Sequence, residues 1–387
     1  MRSGLTLLVA LCGLLFLGGI AVLVAGPDLN HDEAVERARL AASFPADPDE
    51  GQLAALKAVY AAPSAEWPAP RLAEGAAFRE LAALKIEPRP EGEAAELARL
   101  GQDLFEDPRL SRSGQIACQN CHNRRLGWGD GLPTSFGHDR RQGRRNALSL
   151  FNAGYRETLF WDGRAGSLGE QALGPLTDPA EMANHDLGGI AARIADAPEY
   201  RDRFRTLFGG EEVGLDDLLT ALAAFQMTLE RRTRFDLFMA GNKAALTAQE
   251  VWGLHLFRTK AGCANCHNGP LFADEKFHNL GLSYYGRKLE DLGRYEVTGD
   301  PADAGGFRTA SLRHVSRTGP YMHNGVFPSL EGLVNLYAAG GGRVSPKRGK
   351  GTDDPLIGHL LENSPLLHTF ELTSRERDAL VAFLNSL

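Results

Sequence analysis

Cys118-Gln119-Asn120-Cys121-His122 recurs as Cys263-Ala264-Asn265-Cys266-His267. Two cysteines separated by two residues and followed at once by histidine form the attachment pattern of c-type haem. The spacing has a physical reason. The two thiols add to the two vinyl groups of one porphyrin, and the next residue carries an imidazole to one face of the iron. The opposite face is left for a second ligand or a substrate, and that choice sets the chemistry. A mixed Cys/His zinc site is the alternative; a second copy, again closing on histidine, weighs against it. Of five cysteines, four belong to these motifs. The fifth, Cys12, lies in the N-terminal apolar segment, so no disulfide framework is expected.

The chain has 387 residues, 43% hydrophobic and 24% charged, as in a folded globular protein of more than one domain. Its formal net charge of −7 argues against nucleic acid as a partner. Leu5–Ala25 carries no charge and follows Arg2. At about 1.5 Å per residue such a run covers a bilayer core of roughly 30 Å. Leu23 at the −3 position before Ala25 makes a poor cleavage site. Residues 1–28 are therefore read as an uncleaved signal anchor on the periplasmic side of a bacterial inner membrane. A cleaved signal releasing a soluble periplasmic body is the alternative. Either way the body is exported, which agrees with covalent haem attachment.

Residues 29–90 read as an Ala-, Glu- and Pro-rich spacer, partly packed on the body, with short helices expected over His31–Ala42 and Glu50–Ala61. Glu93–Phe105 has helical spacing and precedes the first motif. Thr247 and Glu250 form a capping box that opens a helix before the second. Each motif thus follows a helix bearing Gly and Phe, Gly101 with Phe105 and Gly253 with Phe257. This internal repeat predicts two cytochrome c-like haem domains in tandem, 91–243 and 244–387, mostly α, with the division after a helix over Leu215–Arg231. Thr373 and Glu376 cap a last helix, Thr373–Leu387, expected to pack on the helix before the second motif.

Further stretches lie between and beyond the motifs: Ser135-Phe136-Gly137-His138, Asn146, Phe160-Trp161-Asp162-Gly163-Arg164, Gln171, Pro179-Ala180-Glu181-Met182, and Thr318-Gly319-Pro320-Tyr321-Met322-His323. Read locally, His138 is a loop residue, Trp161 and Tyr337 are core aromatics, and Gln171 sits in the first turn of a helix capped at Ser167. Pro175 and Pro179 keep Gln171 and Glu181 off one helix face. Arg140, Arg141, Arg144 and Arg145 read as a solvated basic loop, with propionate pairing as the alternative. His255 and His314 read as packing residues.

In this order the motifs resemble the bacterial di-haem cytochrome c peroxidase family, which includes the MauG-type enzymes, over residues 91–387. The resemblance implies a peroxidatic first haem with His122 as proximal ligand and His138 as a releasable distal ligand. It implies that Gln171 and Glu181 line the peroxide pocket, where a carboxylate can move a proton between the two oxygens. Trp161 falls where the family relays electrons between haems. Asn146, with the carbonyls of Thr318 and Pro320, falls at an inter-domain calcium site, whose oxygen donors suit that ion. His267 is the proximal ligand of the second haem. Opposite it the family's peroxidases usually place methionine and the MauG type tyrosine; here Tyr337 occupies that place, with Met322 competing. The implied function is reduction of hydrogen peroxide to water with electrons from a small cytochrome c or cupredoxin. Alternatives are a MauG-type oxidase acting on a protein or small molecule through high-valent iron, and a haem electron-transfer or redox-sensing protein without turnover. Family members are often homodimers.

Overall fold

The computed structural model describes residues 35, 39–40, 43–210, 212–345 and 354–387. Residues 45–387 make one compact unit. The expected anchor lies outside the described residues, as does most of the helix expected over His31–Ala42. Among the described residues no helix is long and apolar enough to cross a membrane.

The unit is mostly helical. Its regular helices are α1 (Glu50–Tyr60), α2 (Gly92–Glu106), α3 (Cys118–Cys121), α4 (Leu168–Thr177), α5 (Leu187–Ala195), α6 (Pro198–Phe208), α7 (Leu215–Met227), α8 (Arg234–Met239), α9 (Ala248–Arg258), α10 (Tyr295–Thr298), α11 (Leu330–Ala338), α12 (Ile357–Leu361) and α13 (Ser374–Leu384). Two three-residue strands, β1 (Phe277–Asn279) and β2 (Gly306–Arg308), pair antiparallel with Phe277 opposite Arg308.

Two helix crossings organise the chain, and each turns on a glycine. α2 packs on α7, and α9 packs on α13. A Cβ on Gly101 would lie 1.8 Å from the Ala221 carbonyl oxygen and 2.9 Å from Phe225 Cβ. A Cβ on Gly253 would lie 2.0 Å from the Ala379 oxygen and 2.7 Å from Phe383 Cβ. Only glycine admits so close a backbone approach. One turn on, Phe105 meets Phe225 at 5.2 Å between ring centroids, and Phe257 meets Phe383 at 5.4 Å. The Gly–Phe repeat of the sequence is therefore a repeated helix crossing. Both predicted capping boxes form, at Thr247 with Glu250 and at Thr373 with Glu376.

Some details depart from expectation. α7 ends at Met227 rather than Arg231, because the chain turns to pair with Asn152: the Asn152 amide donates to the Leu229 carbonyl at 3.2 Å, and the Arg231 amide to Asn152 Oδ1 at 3.0 Å. Pro175 lies inside α4, and Glu181 falls beyond the helix end, so the two site residues do not share a helix face, as expected. More of residues 45–90 is packed than their composition suggests. Leu56, Tyr60 and Leu81 are fully buried. The Ala73 amide donates to Asn265 Oδ1 within the second motif, and the Leu84 amide to Asp236, both at 2.9 Å. Glu80 pairs with the buried Arg258 at the end of α9.

Candidate functional site

Both motifs present histidine in the same way. The His122 amide closes a turn on the Cys118 carbonyl at 2.9 Å, and the His267 amide on Cys263 at 2.8 Å. His122 Nδ1 lies 3.0 Å from the Trp128 carbonyl, and His267 Nδ1 lies 3.0 Å from that of Phe272. A carbonyl only accepts, so each ring carries its proton on Nδ1 and leaves Nε2 free for a metal. Burial holds both imidazoles below their usual range, which keeps them neutral as a ligand needs. Trp128 takes a positive φ of 61° and Phe272 one of 52°, so the turn that aims the carbonyl is the same in both.

One cavity of about 860 Å³ reaches Cys121 and His122 of the first motif and Cys263, Cys266 and His267 of the second. The charge of the wall suits a haem propionate. Arg156 and Arg308 line it and are buried, with Glu275 as their shared carboxylate, 3.2 Å from Arg156 and 4.0 Å from Arg308. Burial, and then its neighbour Arg156, push the Arg308 guanidinium down to about 9. Two buried cations on one anion leave positive charge facing the cavity, and a propionate carboxylate would balance it. A zinc site fits less well. Among the described residues, the only three possible ligands that converge are Cys266, Asp274 and His278, and the last two already hold each other at 2.9 Å.

Gln171, on α4, and Glu181 both line the cavity. Pro175 cannot donate to the Gln171 carbonyl, so that turn is looser than its neighbours. Glu181 lies in a tight turn after α4. Its amide donates to the Asp178 carbonyl at 3.0 Å, and Ala183 donates to the same oxygen at 2.9 Å. Burial pushes the Glu181 carboxyl up to about 7, with Asp178 adding to the shift and Arg164 opposing it. Gly137 packs directly on this turn, since a Cβ there would lie 2.6 Å from Glu181 Cα. Gly137 contributes to the cavity wall, whereas the His138 imidazole stands 3.5 Å from Asp139 and is not part of the wall.

Trp161 is fixed by bonds from several segments. Its indole N–H donates to the Asn146 carbonyl at 3.0 Å, and its own carbonyl accepts from the Arg308 amide at 2.8 Å. The Asn146 amide donates to the His323 carbonyl at 2.7 Å. The His323 ring stacks on Phe307 at 3.7 Å and meets Trp161 edge-on at 6.4 Å. Arg145 is not a solvated loop residue: it is half-buried between Asp162 (2.5 Å) and Asp291 (2.7 Å). Asn146, Thr318 and Pro320 share the cavity wall. Asn146 Nδ2 donates to the Leu132 carbonyl at 3.0 Å, which leaves Oδ1 as its available oxygen.

Tyr337, on α11, and Met322 both line the cavity. Burial and the nearby Cys266 and Cys263 raise the Tyr337 phenol above its usual range, which places it beside the second motif. Sequence reasoning missed the Arg156–Glu275–Arg308 group and the stacked His323. Three charges spread from residue 156 to residue 308 have no local pattern. His323 stood within a recognised element without an assigned task.

The di-haem cytochrome c peroxidase family model matches residues 95–244. Cytochrome-c peroxidase IdrP1 of Pseudomonas sp. (strain SCT) is 35% identical over 330 residues, 78% of this chain and 83% of the relative. Methylamine utilization protein MauG of Methylorubrum extorquens is 38% identical over 325 residues, 81% and 86% of the two chains. The crystal structure of a MauG-like protein associated with microbial copper homeostasis superposes with a TM-score of 0.68 at 32% identity. It covers 80% of this chain and 93% of that one.

Proposed function

This chain belongs to the di-haem cytochrome c peroxidase family, and on that premise we propose how its residues carry out the reduction of hydrogen peroxide with electrons from a small redox protein. The observation that carries the reading is one cavity joining two identically presented histidines, with a carboxyl held near 7 in its wall. When bound, the two c-type haems supply the iron centres that give and store electrons.

His122 and His267 would hold the two irons through Nε2, and Cys118, Cys121, Cys263 and Cys266 would form the thioethers. Arg156 and Arg308 clamp a propionate. Glu181 takes a proton from the near oxygen of peroxide and returns it to the leaving oxygen. A carboxyl near 7 is present in both forms at neutral pH, which suits a group that must do both. Gln171 orients the peroxide by its amide. Trp161 carries electrons between the two haem pockets, and its two backbone-anchored hydrogen bonds hold it still while it does so. His138, outside the cavity wall here, would serve as the releasable second ligand of the first haem once its loop turned inward. Asn146 Oδ1 and the carbonyls of Thr318 and Pro320 would hold a calcium ion, which would tie the segments around Trp161.

The two haem domains divide near residues 239–245, and residues 45–90 pack on the second through Ala73 and Glu80 while Leu84 also bonds to Asp236 before the division. The body works in the periplasm, with residues 1–28 acting either as an anchor or as a signal cleaved to release it. The MauG-type oxidase is the second reading, favoured by Tyr337 beside the second motif. An anionic oxygen ligand there lowers the potential and makes that haem a poorer acceptor from ordinary donors. The test is peroxide consumption by the holo-protein with a reduced small cytochrome. Stoichiometric oxidation of that cytochrome supports the peroxidase, while peroxide-driven modification of an added protein without cytochrome oxidation supports the alternative.

A further inference from the structure

Tyr60 belongs to the stretch that composition marks as a spacer, yet it is fully buried against the helix that leads into the second motif. Its hydroxyl lies 3.1 Å from His255 Nδ1 on α9, and its ring lies 5.0 Å from Trp67 between centroids. The Trp67 indole N–H donates to the carbonyls of Tyr60 (3.0 Å) and Ala62 (2.9 Å). Arg258 lies over Trp67 at 5.3 Å and pairs with Glu80. Phe257, two residues beyond His255, lines the cavity, as does Cys263 of the second motif. A helix with its side chains is about 10–12 Å across, so Tyr60 sits roughly one helix width from the second haem pocket.

We propose that the Tyr60–His255 pair is an internal one-electron donor to the second haem, used when peroxide arrives and no outside reductant is bound. This rests on the peroxidase reading. Peroxide is the oxidant: it takes two electrons from the haem pair, and Tyr60 replaces one of them through the second haem while its phenolic proton passes to His255 Nδ1. The O–H bond breaks, an N–H bond forms, and Tyr60 is left as a neutral phenoxyl radical. An outside reductant restores the phenol through Trp67 as the proton returns from His255.

The surroundings favour this step over simple deprotonation. Burial holds the Tyr60 phenol above its usual range, so phenolate does not form first. Burial, with Arg258 and Arg71, pushes His255 down to about 4, so its ring is neutral and able to accept. The charges facing the pair are Arg258, Arg71 and Glu80.

The test mixes the holo-protein with stoichiometric peroxide and no reductant, followed by freeze-quench EPR. A tyrosine radical is expected in the parent and its loss in Tyr60→Phe, with the oxidised haem absorption lasting several-fold longer. Turnover with saturating reduced cytochrome should be unchanged. His255→Gln keeps a hydrogen-bond partner but no base, and should lose the signal too. An undiminished radical in Tyr60→Phe, or no tyrosine radical in the parent, would overturn the proposal. If Tyr60→Phe loads fewer haems, peptide mass spectrometry on the parent decides: oxidation at Tyr60 or Trp67 is expected, and oxidation confined to other residues refutes the relay. If peroxide oxidises neither haem, the peroxidase reading alone falls. Hexachloroiridate then replaces peroxide, and the same outcomes decide Tyr60.

Discussion

The amide of His138 donates to the carbonyl of Glu181 at 2.8 Å. The residue assigned to close the first iron is thus bonded to the backbone of the residue assigned to move the proton. If the His138 loop withdraws as proposed, this bond would carry the movement to the Glu181 backbone and so to its carboxyl. Gly137, the joint between them, has no room for a side chain. Gly137→Ala should therefore displace Glu181 while leaving both haems attached. A displacement of about 1 Å at a reacting group can cost on the order of a hundredfold. A large drop in kcat/KM for peroxide at full haem content is expected. An unchanged value would break the link.

Glu181→Gln keeps the shape of the side chain and removes its proton chemistry. Loss of a general acid–base group costs roughly 10²–10⁴ in rate. The pH profile carries the sign. With the carboxyl held near 7, the proton-accepting form grows as pH rises through that value. The rate should climb with pH up to about 7 and then level, and this limb should vanish in Glu181→Gln. Stability runs the other way. A carboxyl raised by burial favours the folded state most when protonated, so its contribution is full below its ordinary value and is lost as pH rises through about 7. Peroxide consumption from pH 5 to 9 checks the first, and thermal unfolding over the same range the second.

Tyr337→Phe leaves ring packing in place and removes the phenol oxygen. If Tyr337 binds iron, the absorption of the second haem should change and its potential should rise, while the first haem keeps both. Spectra and a redox titration of each haem decide it. Identical spectra would return Tyr337 to the core and leave Met322 as the candidate.

Gly101→Ala and Gly253→Ala each push a methyl group into a backbone carbonyl across a helix crossing. Overpacking of this kind costs about 1–3 kcal/mol. Each variant should lower the unfolding midpoint, with the nearer haem attached less completely. Equal loss of both haems in both variants would mean that the two crossings do not act as separate supports.

These glycines also show how much of the molecule was readable beforehand. The motifs, the Gly–Phe repeat and the capping boxes are local patterns, and local patterns fix helices and covalent chemistry. The crossing of α9 on α13 followed from them. The packing of residues 45–90 did not, because Ala- and Pro-rich composition says nothing of which helix will cover Tyr60. Nor did the charges. Arg145 reads as one of four exposed arginines until the fold supplies Asp162 and Asp291. Arg156, Glu275 and Arg308 become a group only where β2 meets the segment after the first motif. His138, Gln171 and Glu181 were singled out through family resemblance; the structure places Gln171 and Glu181 in the cavity wall and leaves His138 outside it, bonded through its amide to Glu181.

The central claim is two porphyrin irons held covalently in one chain around one shared cavity. Intact-mass measurement with a pyridine haemochrome assay, on protein made in a host that matures c-type cytochromes, tests it most directly. Two haems and two irons per chain, each lost with its own Cys→Ala pair, are expected. A single haem, or a colourless protein carrying zinc, would contradict it.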